Sequence, residues 1–157
     1  MTFFFPIHNP DEGVYSAIVV HEFKILMLKH KKSDFWFFPH GFSLLDEIPD
    51  DTILRICREQ ASIIGELIDY SPIAPQKDFS HCALPMHSEV RMLDNHKYYC
   101  SYFLLRAKNP QDTGANSHEE IEEIKWFSKE ELLNLNLPEG TIDVCILALE
   151  KDVNLEF

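Results

Sequence analysis

The chain has 157 residues, 45% of them hydrophobic and 12% aromatic, and carries a formal net charge of -12. That length and composition fit one globular domain over residues 1–157 and exclude a disordered chain. The acidic surface repels phosphate backbones and anionic bilayers, so neither nucleic acid nor membrane is expected as the main partner. The four cysteines, Cys57, Cys82, Cys100 and Cys145, form no C-x-x-C pair or metal-ligand spacing and read as reduced thiols. The opening MTFFFPIHNP has too short an apolar run and no basic flank for a signal peptide or a membrane span, which makes the cytoplasm the expected compartment.

In chain order, Val14 to Val20 and Phe23 to Lys31 read as two strands around a polar turn at His21-Glu22. Phe35 to Phe38 is a short aromatic run that ends at Pro39. Pro49 suits a first helical position, Asp50 and Asp51 place negative charge in the first turn, and Gly65 offers a stop, so a helix is predicted from about Pro49 to Ile64. Its Leu54, Cys57, Ala61 and Ile64 share one stripe and are expected to pack on a sheet. Leu67 to Ala74 reads as a strand, and Pro75 to Asn95 mainly as long loop, with room for a short strand in HCALPM. Tyr98 to Ala107 is a strong strand and Glu120 to Phe127 an edge or half-buried one. Ser128 caps a short helix SKEELLNL with Glu131 three residues on, and Thr141 to about Asn154 forms a final amphipathic helix. Strands interleaved with two main helices give an α/β fold, a mixed sheet covered on both faces.

One stretch carries chemistry. Gly41 is followed after five residues by Glu47 and after seven more by Arg55, with Glu59 one helical turn beyond. This spacing resembles the box of the Nudix hydrolase family, G-x5-E-x7-R-E-U-x-E-E-x-G-U with U a bulky apolar residue. The glutamate that follows the arginine is here Ile56, the last glutamate is Gln60, and the second glycine is Ser62. A second register on Arg58-Glu59 needs three extra residues after Glu47 and puts Ser62 and Ile63 where the paired glutamates belong, which rules it out. KHKKSDFWFFPHGF resembles the segment that introduces the box, with Pro39-His40-Gly41 for the usual P-G-G, and EEIEEIKWFSKEELLNL resembles the family's last strand and following helix. The likeness spans most of residues 12 to 150 and implies the Nudix α/β/α sandwich.

It also implies a substrate class, a nucleoside diphosphate linked to another group, and a Mg²⁺ or Mn²⁺ cofactor that neutralises the diphosphate while a carboxylate helps water attack phosphorus. Of the box acids only Glu59 remains as a charged metal ligand; Gln60 offers a neutral carbonyl oxygen and Ile56 offers nothing. Mg²⁺ commonly uses one or two carboxylates and keeps several waters, so a weakened site is compatible with hydrolysis. Glu47 would brace the box loop or face solvent, and Gly41 would allow a close backbone approach. Arg55 either orients the Glu59 carboxylate or forms an ordinary helix-surface ion pair. Glu119 or Glu120 would supply a further loop carboxylate, or else belong with Glu122 and Glu123 to a solvated acidic face. The eight histidines, His40 and His118 included, form no compact metal pattern and read as surface or loop residues. Trp36, Phe38 and Tyr98 are candidates for stacking on a base, with core packing expected for at least two of them. Two functions follow: a Nudix hydrolase with a weakened metal-dependent site, or a catalytically silent Nudix domain that binds a nucleotide or a protein partner.

Overall fold

Residues 14, 16, 18 and 20 of the first strand face one way and 17 and 19 the other, and the apolar residues of both sets are buried. A strand buried on both faces belongs in the middle of a sheet, and a near-continuous aliphatic run is its sequence signature. In the computed structural model, which describes residues 13–74, 82–93, 95–113 and 120–154, this strand β1 (Gly13–His21) is central. It runs parallel to β7 (His96–Ala107) and antiparallel to β2 (Lys24–His30) and to the short β4 (His40–Gly41). β2 also pairs with β3 (Trp36–Phe37) and β8 (Ile121–Ser128), while β5 (Gly65–Leu67) and β6 (His87–Leu93) pair with β7. The result is a mixed sheet of eight strands.

Two cores sit on its two faces. Helix α1 (Pro49–Ala61) places Ile53, Cys57 and Ala61 against Ala17, Val19, Leu26, Leu28, Phe103 and Leu105. Helix α3 (Thr141–Asn154) places Val144, Cys145, Ala148 and Leu149 against Ile18, Ile25, Met27 and Leu104 on the other. A helix of α1's length is marginal alone, whereas each fully buried aliphatic side chain contributes about 1.5–3 kcal/mol, so packing on the sheet stabilises it. Between β8 and α3, α2 (Lys129–Leu132) carries the expected capping box of Ser128 and Glu131. The architecture is the α/β/α sandwich. Among the described residues no helix is long and apolar enough to cross a membrane.

Several boundaries differ from the sequence reading. The first hairpin turns at Glu22 and Phe23, with φ of 48° and 63°, because the pairing of His21 with Lys24 leaves a two-residue loop that demands positive φ at both positions. Helix α1 ends three residues early, at Ala61: Ser62 adopts φ 58° and its N–H bonds the Arg58 carbonyl, which turns Ile64 out to solvent. The buried stripe is therefore Ile53, Ile56, Cys57 and Ala61. Gly65 is no helix stop; it opens β5, where an added Cβ would lie 2.6 Å from the buried Leu105 Cδ2. The strand expected over Leu67 to Ala74 is reduced to Gly65–Leu67, since the Asp69 carboxylate takes the Ser71 N–H and bends the chain. The expected long loop contains a full strand, β6, while residues 82–86 of the HCALPM segment hold none. The aminoterminal apolar run and His81 lie outside the described residues.

Candidate functional site

The loop between β4 and α1 is folded around one carboxylate. Glu47 Oε1 accepts from the Leu44 N–H at 3.0 Å and from the Thr52 hydroxyl at 2.8 Å. Arg55, two helical turns along α1, clasps the same carboxylate with both prongs, Nε to Oε2 at 2.9 Å and Nη2 to Oε1 at 3.0 Å. Its Nη2 also donates to the Phe42 carbonyl at 2.9 Å, and Nη1 donates to Glu59 Oε2 at 3.2 Å. The Arg55 and Glu47 side chains are only 17% and 14% exposed, whereas Glu59 is 54% exposed. Paired, planar and sheltered, Arg55 and Glu47 make a stronger contact than a surface ion pair.

The Arg55 guanidinium beside Glu47 holds its carboxyl well below the usual carboxylate range, at about 2. A depressed folded value contributes stability above the unfolded value, roughly pH 4.3, and that contribution is lost as pH falls towards 2. The stability deficit of Glu47→Gln at neutral pH is therefore expected to shrink through this window. Urea titrations of wild type and variant across it provide the check; a deficit that stays constant would remove the assigned cause.

Gln60 and Ile56 turn from α1 towards β4. The Gln60 carboxamide engages both backbone groups of one residue: its Nε2 donates to the His40 carbonyl at 2.8 Å and its Oε1 accepts from the His40 N–H at 3.1 Å. Ile56 is 1% exposed and lies against Gly41, where an added Cβ would sit 3.2 Å from its Cδ1. Gly41 thus allows the close approach expected of it, and the partner in that approach is a hydrocarbon.

These donors do not fit a divalent cation on α1. Mg²⁺ needs oxygen ligands with free lone pairs, preferably charged. Glu59 provides one carboxylate already shared with Arg55, the Gln60 oxygen is bonded to His40, and Ile56 provides none. Among the described residues no group of three or more His, Cys, Asp or Glu side chains is placed to hold a metal.

The described acidic residues at and before β8 are engaged on the β2 side of the sheet. Glu120 is exposed and its carbonyl accepts from the Lys31 N–H at 2.9 Å; Glu122 pairs with Lys29 at 3.4 Å and Glu123 with Lys125 at 3.6 Å. β8 lies outside β2, whereas α1 packs over β1, β4 and β5. Glu119 and His118 lie outside the described residues.

The opposite side of β4 lines a narrow pocket on the α3 face. Val14, Ser16, Phe38, His40, Arg91 and Tyr102 contribute to its wall, with Thr141 at the start of α3. His40 is buried rather than a surface residue, and its Nδ1 donates to the Phe38 carbonyl at 2.8 Å. The Phe38 and Tyr102 rings meet edge to face, 6.2 Å apart. Beneath them Glu89 Oε1 accepts from the Tyr102 hydroxyl at 2.8 Å and Arg91 Nε at 2.7 Å. Burial raises the Tyr102 phenol far above its ordinary range, and although burial also pulls Glu89 upward, its bonds to Arg91 and Tyr102 hold it low. Trp36 instead stacks edge-on against Phe127 in the core, and Tyr98 is buried there too. The sequence reading missed Glu89, Arg91 and Tyr102. The alternation in His87, Glu89 and Arg91, three polar residues on one face of a strand, was the available signal.

A family model described as NUDIX domain matches residues 12–145. No curated protein matches the chain. Among solved structures, a NUDIX-family hydrolase from Clostridium perfringens is similar at TM-score 0.74 and 22% identity, covering 88% of this chain and 96% of that one. An Ap4A hydrolase from C. elegans is similar at TM-score 0.67 and 15% identity, over 93% and 99%. An ADP-ribose pyrophosphatase from Streptococcus suis is similar at TM-score 0.63 and 19% identity, over 90% and 91%. Likeness at these identities concerns the fold.

Proposed function

The chain belongs to the Nudix family, and from that premise we propose that it is a binding domain for a nucleotide-type small molecule, one polar end of which enters the pocket between β4 and α3, whose volume of about 40 Å³ takes a small group and not a whole base. The observation that carries this reading is the contrast between the two sides of β4. On the α1 side Glu59 is the one charged box ligand that remains, Gln60 is bonded to His40 and Ile56 is a buried hydrocarbon, whereas the other side of β4 turns polar side chains into a pocket. Phe38 and Tyr102, buried and packed edge to face, form the rigid apolar part of its wall. The Ser16 and Thr141 hydroxyls, on residues 8% and 6% exposed, line it and are of the type that bonds a small polar group. The structural relatives named above act on ADP-ribose and Ap4A, which supports nucleotides as the first ligands to try.

The test is calorimetric titration with ADP-ribose and Ap4A, once in EDTA and once in Mg²⁺, with product analysis of each mixture. Saturable binding in EDTA without turnover is expected, and Phe38→Ala is expected to weaken it roughly tenfold by removing the ring that packs on Tyr102 and shapes the pocket wall. Unchanged affinity in that variant would sink the pocket assignment.

Hydrolysis is the second reading, favoured by the retained Gly41, Glu47, Arg55 and Glu59 and by the half-exposed Glu59 carboxylate. Mg²⁺-dependent turnover that disappears in Glu59→Gln would put it first.

A further inference from the structure

β4 separates the pocket from α1, so whatever fixes β4 also fixes the pocket wall at His40. Two α1 side chains do this. Gln60 adds what amounts to one more rung of a ladder, bonding the His40 N–H and carbonyl together, and Ile56 fills the space over the Gly41 Cα. Neither contact survives a return to glutamate. A carboxylate at 60 can accept from the His40 N–H but has no hydrogen for the His40 carbonyl, and would leave two electron-rich oxygens facing each other. A carboxylate at 56 would be desolvated against Gly41 unless a cation joined it. The two departures from the box are therefore complementary, since both suit a metal-free contact between helix and strand.

We propose that Ile56 and Gln60 together form a cross-link between α1 and β4 that needs no divalent cation, so that the His40 wall of the pocket is set without metal. Gln60 is on this account a positioning residue that acts through the His40 peptide. The link to ligand affinity rests on the pocket reading of the preceding subsection; the cross-link itself does not.

The experiment follows melting temperature and His40 amide hydrogen exchange in the full chain, in EDTA and in millimolar Mg²⁺ or Mn²⁺, without nucleotide. Wild type is expected to melt at the same temperature in all three, with a slowly exchanging His40 amide. Gln60→Met should speed that exchange, leave the amides of the α1 interior protected, and weaken ADP-ribose binding severalfold. Ile56→Glu with Gln60→Glu should melt lower in EDTA and recover in Mg²⁺, because the restored acids then need the ion. Should that double variant fail to fold, Gln60→Met alone decides the matter. A wild-type melting temperature that rises in Mg²⁺, with the rise abolished by Glu59→Gln, overturns the proposal. So does a His40 amide that exchanges as fast in wild type as in Gln60→Met. If neither ADP-ribose nor Ap4A binds, the pocket reading falls while the metal-only melts and the exchange rates still judge the cross-link.

Discussion

Replacing Arg55 with methionine is expected to lower the free energy of unfolding by about 3 kcal/mol, the scale for breaking a sheltered ion pair by removing one partner. The cost comes mostly from what is left behind. Glu47 would keep its charge with its two guanidinium bonds gone, and the Phe42 carbonyl would lose the Arg55 bond. The methionine stem preserves much of the packing, so the loss reports on charge and hydrogen bonding. Adding Glu47→Gln should restore part of the stability, since the double variant no longer holds an unpaired anion. Urea unfolding of the two single variants and the double closes the cycle. A loss near zero for Arg55→Met would show that the clasp is no stronger than a surface pair.

Ile56→Ala should cost a similar amount, about 2–4 kcal/mol, for a different reason: a fully buried side chain is removed and α1 leaves a void over Gly41. Ile56→Val, which removes one methylene, should cost about 1 kcal/mol. The Gln60 amide limits how far β4 can collapse into that void, which places the effect towards the upper end. Denaturant titration gives both values, and an alanine variant as stable as the valine one would mean that Ile56 does not pack where the structure has it.

Much of the site's frame was legible in the chain. Gly41, Glu47, Arg55 and Glu59 were found through the resemblance of their spacing to the Nudix box, and helical periodicity put Arg55 and Glu59 on neighbouring turns. The roles were less legible. Spacing cannot tell whether Arg55 reaches forward to Glu59 or back to Glu47; it does both, and the sheltered contact is the one to Glu47. Nor does it show that the Gln60 oxygen is already bonded, since His40 is twenty residues away in sequence and arrives beside α1 only by pairing with β1.

The sequence by itself determined the order of the main elements and a sheet covered on both faces, because these are written in local periodicity and capping residues, and the resemblance of its box spacing pointed to the family and its α/β/α layering. Only the tertiary structure decided where α1 stops, that residues 87–93 form a strand, and that a pocket opens beside Glu89, Arg91 and Tyr102. Those outcomes depend on partners distant in the chain: Tyr102 meets Glu89 through the β6–β7 ladder, and Gln60 meets His40 through the stacking of helix on sheet. Short exposed strands such as β6, with Val90 and Met92 in solvent, draw their stability from such ladders and therefore leave little hydrophobic signature in the sequence.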